Sequence, residues 1–216
     1  IEEPIPAGIV SPQGKKIYMI AFVIGIGIPL GIIFLLNLLR FRIEGHTDVE
    51  KLTKVPIIGD IPLTGSNKHE ESAIAVREND NDIMTETFRS LRTNLLFMMG
   101  DPDKKVVLVT STISGEGKTF IASNLALSLA LLGKKVILVG LDIRKPGLNK
   151  LFHLSHKEKG ITQYLAAPKS TDLHALIQPS GITSNLDLLL GGPIPPNPTE
   201  LLARQSLEDT ISTLRK

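Results

Sequence analysis

The sequence predicts an α/β P-loop NTPase fold, with a mainly parallel sheet flanked by helices and incomplete within these residues, preceded by one transmembrane helix. Three observations predict it. Residues 112–119 read T-I-S-G-E-G-K-T and stand between an apolar strand candidate and a helix candidate, the context of a phosphate-binding loop. A second apolar run, Lys135 to Gly140, follows that helix, so strand, helix and strand make a βαβ unit with parallel strands and a right-handed crossover. Residues 17–39, IYMIAFVIGIGIPLGIIFLLNLL, carry no formal charge over about 23 positions, enough to cross a hydrocarbon core of about 30 Å.

Composition narrows the function classes. The 216 residues allow one ordinary domain with room for a tail or a small second module. The 24 basic and 22 acidic residues nearly balance and are dispersed, which gives no electrostatic case for a nucleic-acid partner. With no cysteine, disulfide frameworks, thiolate zinc sites and a cysteine nucleophile are excluded.

In chain order, residues 1–16 form a Pro-rich extracytoplasmic lead-in, extended by Pro4, Pro6 and Pro12; because the first residue is Ile1, the chain is expected to begin partway through a longer protein. Residues 17–39 are the span. The run is too long for the apolar region of a signal peptide, and no small-x-small cleavage site follows. Tyr18 fits an interfacial aromatic, Pro29 a kink and Asn37 a contact across a helix interface. Arg40, Arg42, Lys51 and Lys54 after the span outnumber Lys15 and Lys16 before it, which places the following part in the cytoplasm, where ATP is found.

Residues 40–80 read as a cytoplasmic linker. Thr47 to Glu50 has a capping-box pattern and predicts a short helix ending before Pro56. Ile57 to Ile61 predicts a short strand, and the polar stretch from Ser66 to Asn79 an exposed tether that lets the following domain move.

Residues 81–216 are the nucleotide-binding domain. Asp82 or a neighbour caps a helix through about Met99, whose Ile83, Phe88, Leu91, Leu95 and Met98 make one apolar stripe. Off that stripe, Glu86, Arg89 and Arg92 lie three residues apart on one face: either a solvated intrahelical pair or a contact to a second copy of the chain. Val106 to Val109 predicts a strand buried on both faces. In the loop that follows, Ser114, Gly115, Glu116, Gly117, Lys118, Thr119 and Phe120 are placed to cradle phosphate with backbone N–H groups, at the positive end of the helix they begin. Lys118 reaches the β- and γ-phosphates and Thr119 holds Mg2+ through its hydroxyl. Thr112 stands where the general pattern has its first Gly.

Asp142 follows the second strand, at the carboxyl edge of the sheet, where ligands of such folds bind. It reads either as a metal-shell carboxylate or as the cap of the next turn. Beyond it, Gly160 to Ala166 and Thr171 to Ile177 predict short helices, Leu186 to Leu190 a strand, Gly191 to Pro198 a loop, and Thr199 onward a helix. His153, His156 and His174 lack metal-ligand spacing.

Taken together these residues resemble the bacterial tyrosine autokinases of capsule and exopolysaccharide export, whose kinase domain is fused to a chain-length-determinant membrane module. The Pro-rich lead-in, the span and Val55 to Pro62, V-P-I-I-G-D-I-P, look like that family's junction after its periplasmic part. Glu86 to Leu95 matches its E-x-x-R-x-x-R oligomerisation helix, S-G-E-G-K-T its Walker A loop, L-D-I-R-K-P its second Walker-like motif, and Gly191 to Leu202 its loop and helix. The resemblance implies catalytic roles for Lys118 and Asp142, ATP and Mg2+ as cofactors, and Glu86, Arg89 and Arg92 as a protomer contact. It further implies a ring-like homo-oligomer that phosphorylates tyrosines in trans at the bacterial inner membrane, beside membrane lipid and the polysaccharide polymerisation and export machinery. Two departures stand against it. Gly140 occupies the place of the family's first aspartate, and the chain stops at Lys216, where the Walker B strand is expected, without the tyrosine cluster; Tyr18 and Tyr164 are isolated. A membrane-positioned ATPase switch of the partition or septum-site type, and a non-catalytic scaffold of polysaccharide export, are the competing readings.

Overall fold

The computed structural model describes residues 14–39, 45–63, 74–78, 80–101, 103–154 and 159–215. The lead-in through residue 13, Arg40, Arg42, residues 64–73 of the linker and His156 lie outside the described residues. Two compact units result, Ile1–Pro56 and Ile57–Lys216.

In the first unit, α1 (Gly14–Leu39) is a helix of 26 residues with no buried side chain, long and apolar enough to span a bilayer. Pro29 lies inside it. The short helix α2 (His46–Leu52) forms where expected, but Gly45 is its N-cap, without a side-chain bond. Thr47 therefore sits inside the first turn and is not the head of a capping box. An ion pair of Lys51 with Asp48 and a contact of His46 Nε2 with Glu50 at 3.4 Å line the helix instead.

In the second unit, α3 (Ile83–Met99) begins at Asp82, whose carboxylate accepts the Thr85 N–H at 2.6 Å, and ends at Gly100 in the left-handed region. Phe88 and Leu91 are buried and Leu95 packs beside them, but Ile83 and Met98 are exposed, and Met84 takes the inward place. The buried face is one residue out of phase with the expected stripe at its start, because side chains of a helix are shared out by the neighbour they meet. That neighbour is α4 (Lys118–Leu131), whose residues Ser123 to Ser128 are buried consecutively, as in a helix packed on both sides.

The sheet holds β1 (Val136–Val139), β2 (Ile177–Pro179) and β3 (Leu186–Leu189) in the order β1-β3-β2. It is mixed: β1 runs parallel to β3, with Val136 opposite Leu186, and β2 runs antiparallel to β3. Alternation along β1 separates two apolar clusters, Val136 and Leu138 facing that of α3 and α4, Ile137 and Val139 the other. The second cluster is closed by α6 (Ile161–Ala166), α7 (Pro198–Leu202) and α8 (Gln205–Leu214), while the short α5 (Leu148–Leu151) packs into the first. The expected helix over residues 171–177 is a 3-10 turn, His174–Leu176, that runs into β2.

Three further expectations are corrected. Val106 to Val109 joins no ladder among the described residues, and Val106, Val107 and Leu108 are exposed. Ile57 to Ile61 likewise joins no ladder among the described residues, though Ile58 and Ile61 pack on the core and the Ile58 carbonyl accepts a hydrogen bond from Asn94 Nδ2 at 2.8 Å. A strand needs a partner backbone, and β-branched content alone cannot supply one. Within the polar tether, residues 74–76 are not exposed whereas Arg77 and Glu78 are: Val76 is buried, and Asn124 Oδ1 accepts the N–H groups of Ala75 and Val76 at 2.8 and 2.9 Å.

Candidate functional site

Residues 112–117 form the turn that leads into α4. Gly115 and Gly117 adopt φ of 97° and 88°, a region costly for any side chain, and Gly117 is the N-cap of α4. Its carbonyl accepts the Ile121 N–H, so the N–H groups of Lys118, Thr119 and Phe120 have no acceptor within the helix. Three donors at the positive end of a 14-residue helix make a place for anionic oxygen.

The side chains divide into those that face this place and those that do not. Lys118 Nζ lies 3.0 Å from Asp142 Oδ2, while Asp142 Oδ1 accepts the Lys145 N–H at 3.0 Å. Asp142 thus caps the turn and pairs with the loop lysine at once. Partial burial pushes its carboxyl up, but the Lys118 hydrogen bond, the Lys145 N–H and the Lys118 charge outweigh this and hold it below the ordinary carboxylate value. Thr119 Oγ1 lies against the turn at Gly147, 3.7 Å from where a Cβ would stand there.

Glu116 and Phe120 turn elsewhere. The Glu116 carboxylate accepts the Ile113 N–H at 3.1 Å, and the Phe120 ring packs edge-on against Phe88 at 5.9 Å between centroids. Their backbone, not their side chains, is what they offer a ligand. Ser114 is exposed on the loop. Gly140 is held against the end of β3, where an added Cβ would stand 3.1 Å from Gly191 N. A second carboxylate at that position would have to displace backbone.

Glu86, Arg89 and Arg92 share one face but part company. Arg89 pairs with Glu86, as in the solvated intrahelical reading, and also reaches Asn81. Arg92 Nη1 donates to the Ser128 carbonyl at 2.7 Å and ties α3 to α4.

The sequence reading missed two residues that shape the site. Arg144 Nη2 donates to Thr199 Oγ1 at 2.8 Å, which joins the Asp142 turn to α7. Asn124, fully buried one turn beyond Phe120, donates to the Phe120 carbonyl at 2.9 Å while holding Ala75 and Val76. An amide amid the apolar residues of α4 was the available signal, since a buried amide must find partners.

As a donor set, the Thr119 hydroxyl and the Asp142 carboxylate suit a hard cation that shares its shell with phosphate oxygens and water. The residues present fit Mg2+.

Comparison with known proteins gives the chain's relatives. Residues 103–182 match a family model described as ParA, NUBPL iron-transfer P-loop NTPase. The tyrosine-protein kinase YwqD of Bacillus subtilis (strain 168) is 37% identical over 143 residues, which cover 66% of this chain and 58% of that protein. A putative tyrosine-protein kinase in the cps region of Klebsiella pneumoniae is 29% identical over 96% of this chain and 30% of its own length. The chain therefore spans well under two thirds of these relatives. Among solved structures, the chimerical protein CapA2B2 superposes with a TM-score of 0.66 at 34% identity, over 79% of this chain and 70% of that one.

Proposed function

Because this chain belongs to the bacterial tyrosine autokinases of capsule and exopolysaccharide biosynthesis, we propose that the whole protein transfers the ATP γ-phosphate to tyrosines of a neighbouring protomer and so regulates polysaccharide chain length and export. One observation carries this reading to named residues: Lys118 converges on Asp142 at 3.0 Å beside a loop with two left-handed glycines and three free helix donors. The helix N-terminus binds the β- and γ-phosphates, and Lys118 exchanges Asp142 for phosphate oxygen. Its charge then follows the transferring group, where positioning and neutralisation supply most of the catalysis. Thr119 and Asp142 would hold Mg2+, which neutralises the phosphate charge when bound.

The same reading assigns α1 as a single span of the inner membrane with the kinase part in the cytoplasm, and Glu86, Arg89 and Arg92 to a contact within a ring of copies. Its partners are a second copy of the chain, membrane lipid and the polymerisation and export machinery. The test is phosphotyrosine on the full-length protein after incubation with ATP and Mg2+. We expect strong labelling that Lys118→Met abolishes. Phosphate release without any labelled protein would overturn the reading in favour of an ATPase switch.

A further inference from the structure

We propose that Arg144 is a positioning residue for the metal shell: anchored on Thr199 of α7, it keeps the Asp142 carboxylate in place once phosphate has drawn Lys118 away. This rests on the reading of Asp142 as a Mg2+ ligand, and not on tyrosine as the acceptor.

Two sets of contacts hold the turn that carries Asp142. Toward the glycine loop, Asp142 Oδ2 meets Lys118 Nζ at 3.0 Å, and Thr119 Oγ1 lies against Gly147. Toward α7, Ile143 is 1% exposed and shares the second apolar cluster with Leu201, and Arg144 Nη2 donates to Thr199 Oγ1 at 2.8 Å. Arg144 takes part at both ends. Its backbone N–H, with that of Lys145, favours the ionised Asp142 carboxylate, while its guanidinium is fixed on α7.

The two sets differ in what a ligand does to them. When Lys118 exchanges Asp142 for phosphate oxygen, the contact at Oδ2 is lost and that oxygen becomes available to a cation. Asp142 then depends on its own turn. α7 offers that turn a firm anchor, since Leu201 is 3% exposed and Asn197 Nδ2 donates to Glu200 at 2.8 Å across the first turn of the helix. A partner that orients a ligating carboxylate from behind in this way sets how well the metal is held. Both Arg144 and Thr199 are exposed, so their substitution removes no core packing.

Calorimetric titration of ADP into the detergent-solubilised chain, once with Mg2+ and once with EDTA, reads this without any phosphate transfer. The ratio of the two Kd values is the quantity of interest. The wild type should bind ADP more tightly with Mg2+. Arg144→Ala and Thr199→Val should each cut that gain about tenfold, the scale on which outer partners act on a bound metal, and leave affinity in EDTA within about twofold. Because the two residues act through one hydrogen bond, the double variant should lose no more than either single one, and Arg144→Lys, which keeps a donor, should recover part of the gain. An undiminished gain in Arg144→Ala overturns the proposal alone, as do additive losses in the double variant or an equal loss of affinity with and without Mg2+. A wild type that gains nothing from Mg2+ overturns the metal-shell reading of Asp142 and this proposal with it.

Discussion

Asp142 shows how single residues acquire roles that spacing leaves open. Its position at a strand end could mean a metal shell or a turn cap, and the structure gives one oxygen to the turn and the other to Lys118. Because folding lowers its pKa, the ionised carboxylate stabilises the fold above the unfolded value near about 4, and that contribution is lost as pH falls through the lower folded value. Asp142→Asn should therefore unfold at a lower temperature than the wild type at pH 7, with the gap constant down to about pH 5 and closing below about pH 4. Thermal unfolding followed by circular dichroism across this range checks it; a gap that widens in acid would refute the assignment. Glu116 and Phe120 were less legible, since a motif specifies backbone and leaves side chains to whatever lies nearby, here Ile113 N–H and the Phe88 ring.

Among the elements, α4 links the loop to everything else. It begins with three N–H groups that have no acceptor in the helix, buries Leu125, Ala126 and Leu127, and through Asn124 holds the backbone of Ala75 and Val76. Asn124→Ala leaves two inward N–H groups without their acceptor and should cost about 2 kcal/mol. The urea midpoint should drop accordingly, and amide exchange at Ala75 and Val76 should quicken before that of α4; uniform exchange would show that this backbone is held by other contacts. Helices were legible in sequence because their hydrogen bonds are local: α3 and its Asp82 cap lie where periodicity and capping put them, and α2 and α6 form within the segments expected to be helical, α2 without its expected cap. Strands were legible only in part, because their bonds are to distant residues: β1 and β3 form within the apolar runs at 135–140 and 186–190, but other segments differ. Val106 to Val109 has the composition without a ladder, whereas β2, with Pro179 on the outer edge of the sheet, has the ladder without the composition.

At the scale of the whole second unit, the sheet and the site meet where backbones approach most closely. A Cβ at Gly160 would stand 2.4 Å from both Gly192 N and Leu190 O, so Gly160→Ala must move backbone at the junction of β3 and α6. A loss of about 2 kcal/mol or more, seen as a thermal midpoint lower by about 5 °C, is the expected result. Nucleotide should act in the opposite direction. ATP with Mg2+ at about a hundred times its Kd should add about 2.7 kcal/mol to the wild type and nothing to Lys118→Met, which a thermal-shift titration reads directly. The sequence by itself determined the membrane-length helix, the glycine loop with Lys118 and Thr119, and the strand-end carboxylate, because hydropathy, left-handed φ and helix capping are properties of neighbouring residues. Tertiary structure alone decided that Lys118 meets Asp142 and that Arg92 turns to α4. Both join residues far apart in the chain, and packing chooses among partners that spacing leaves equal.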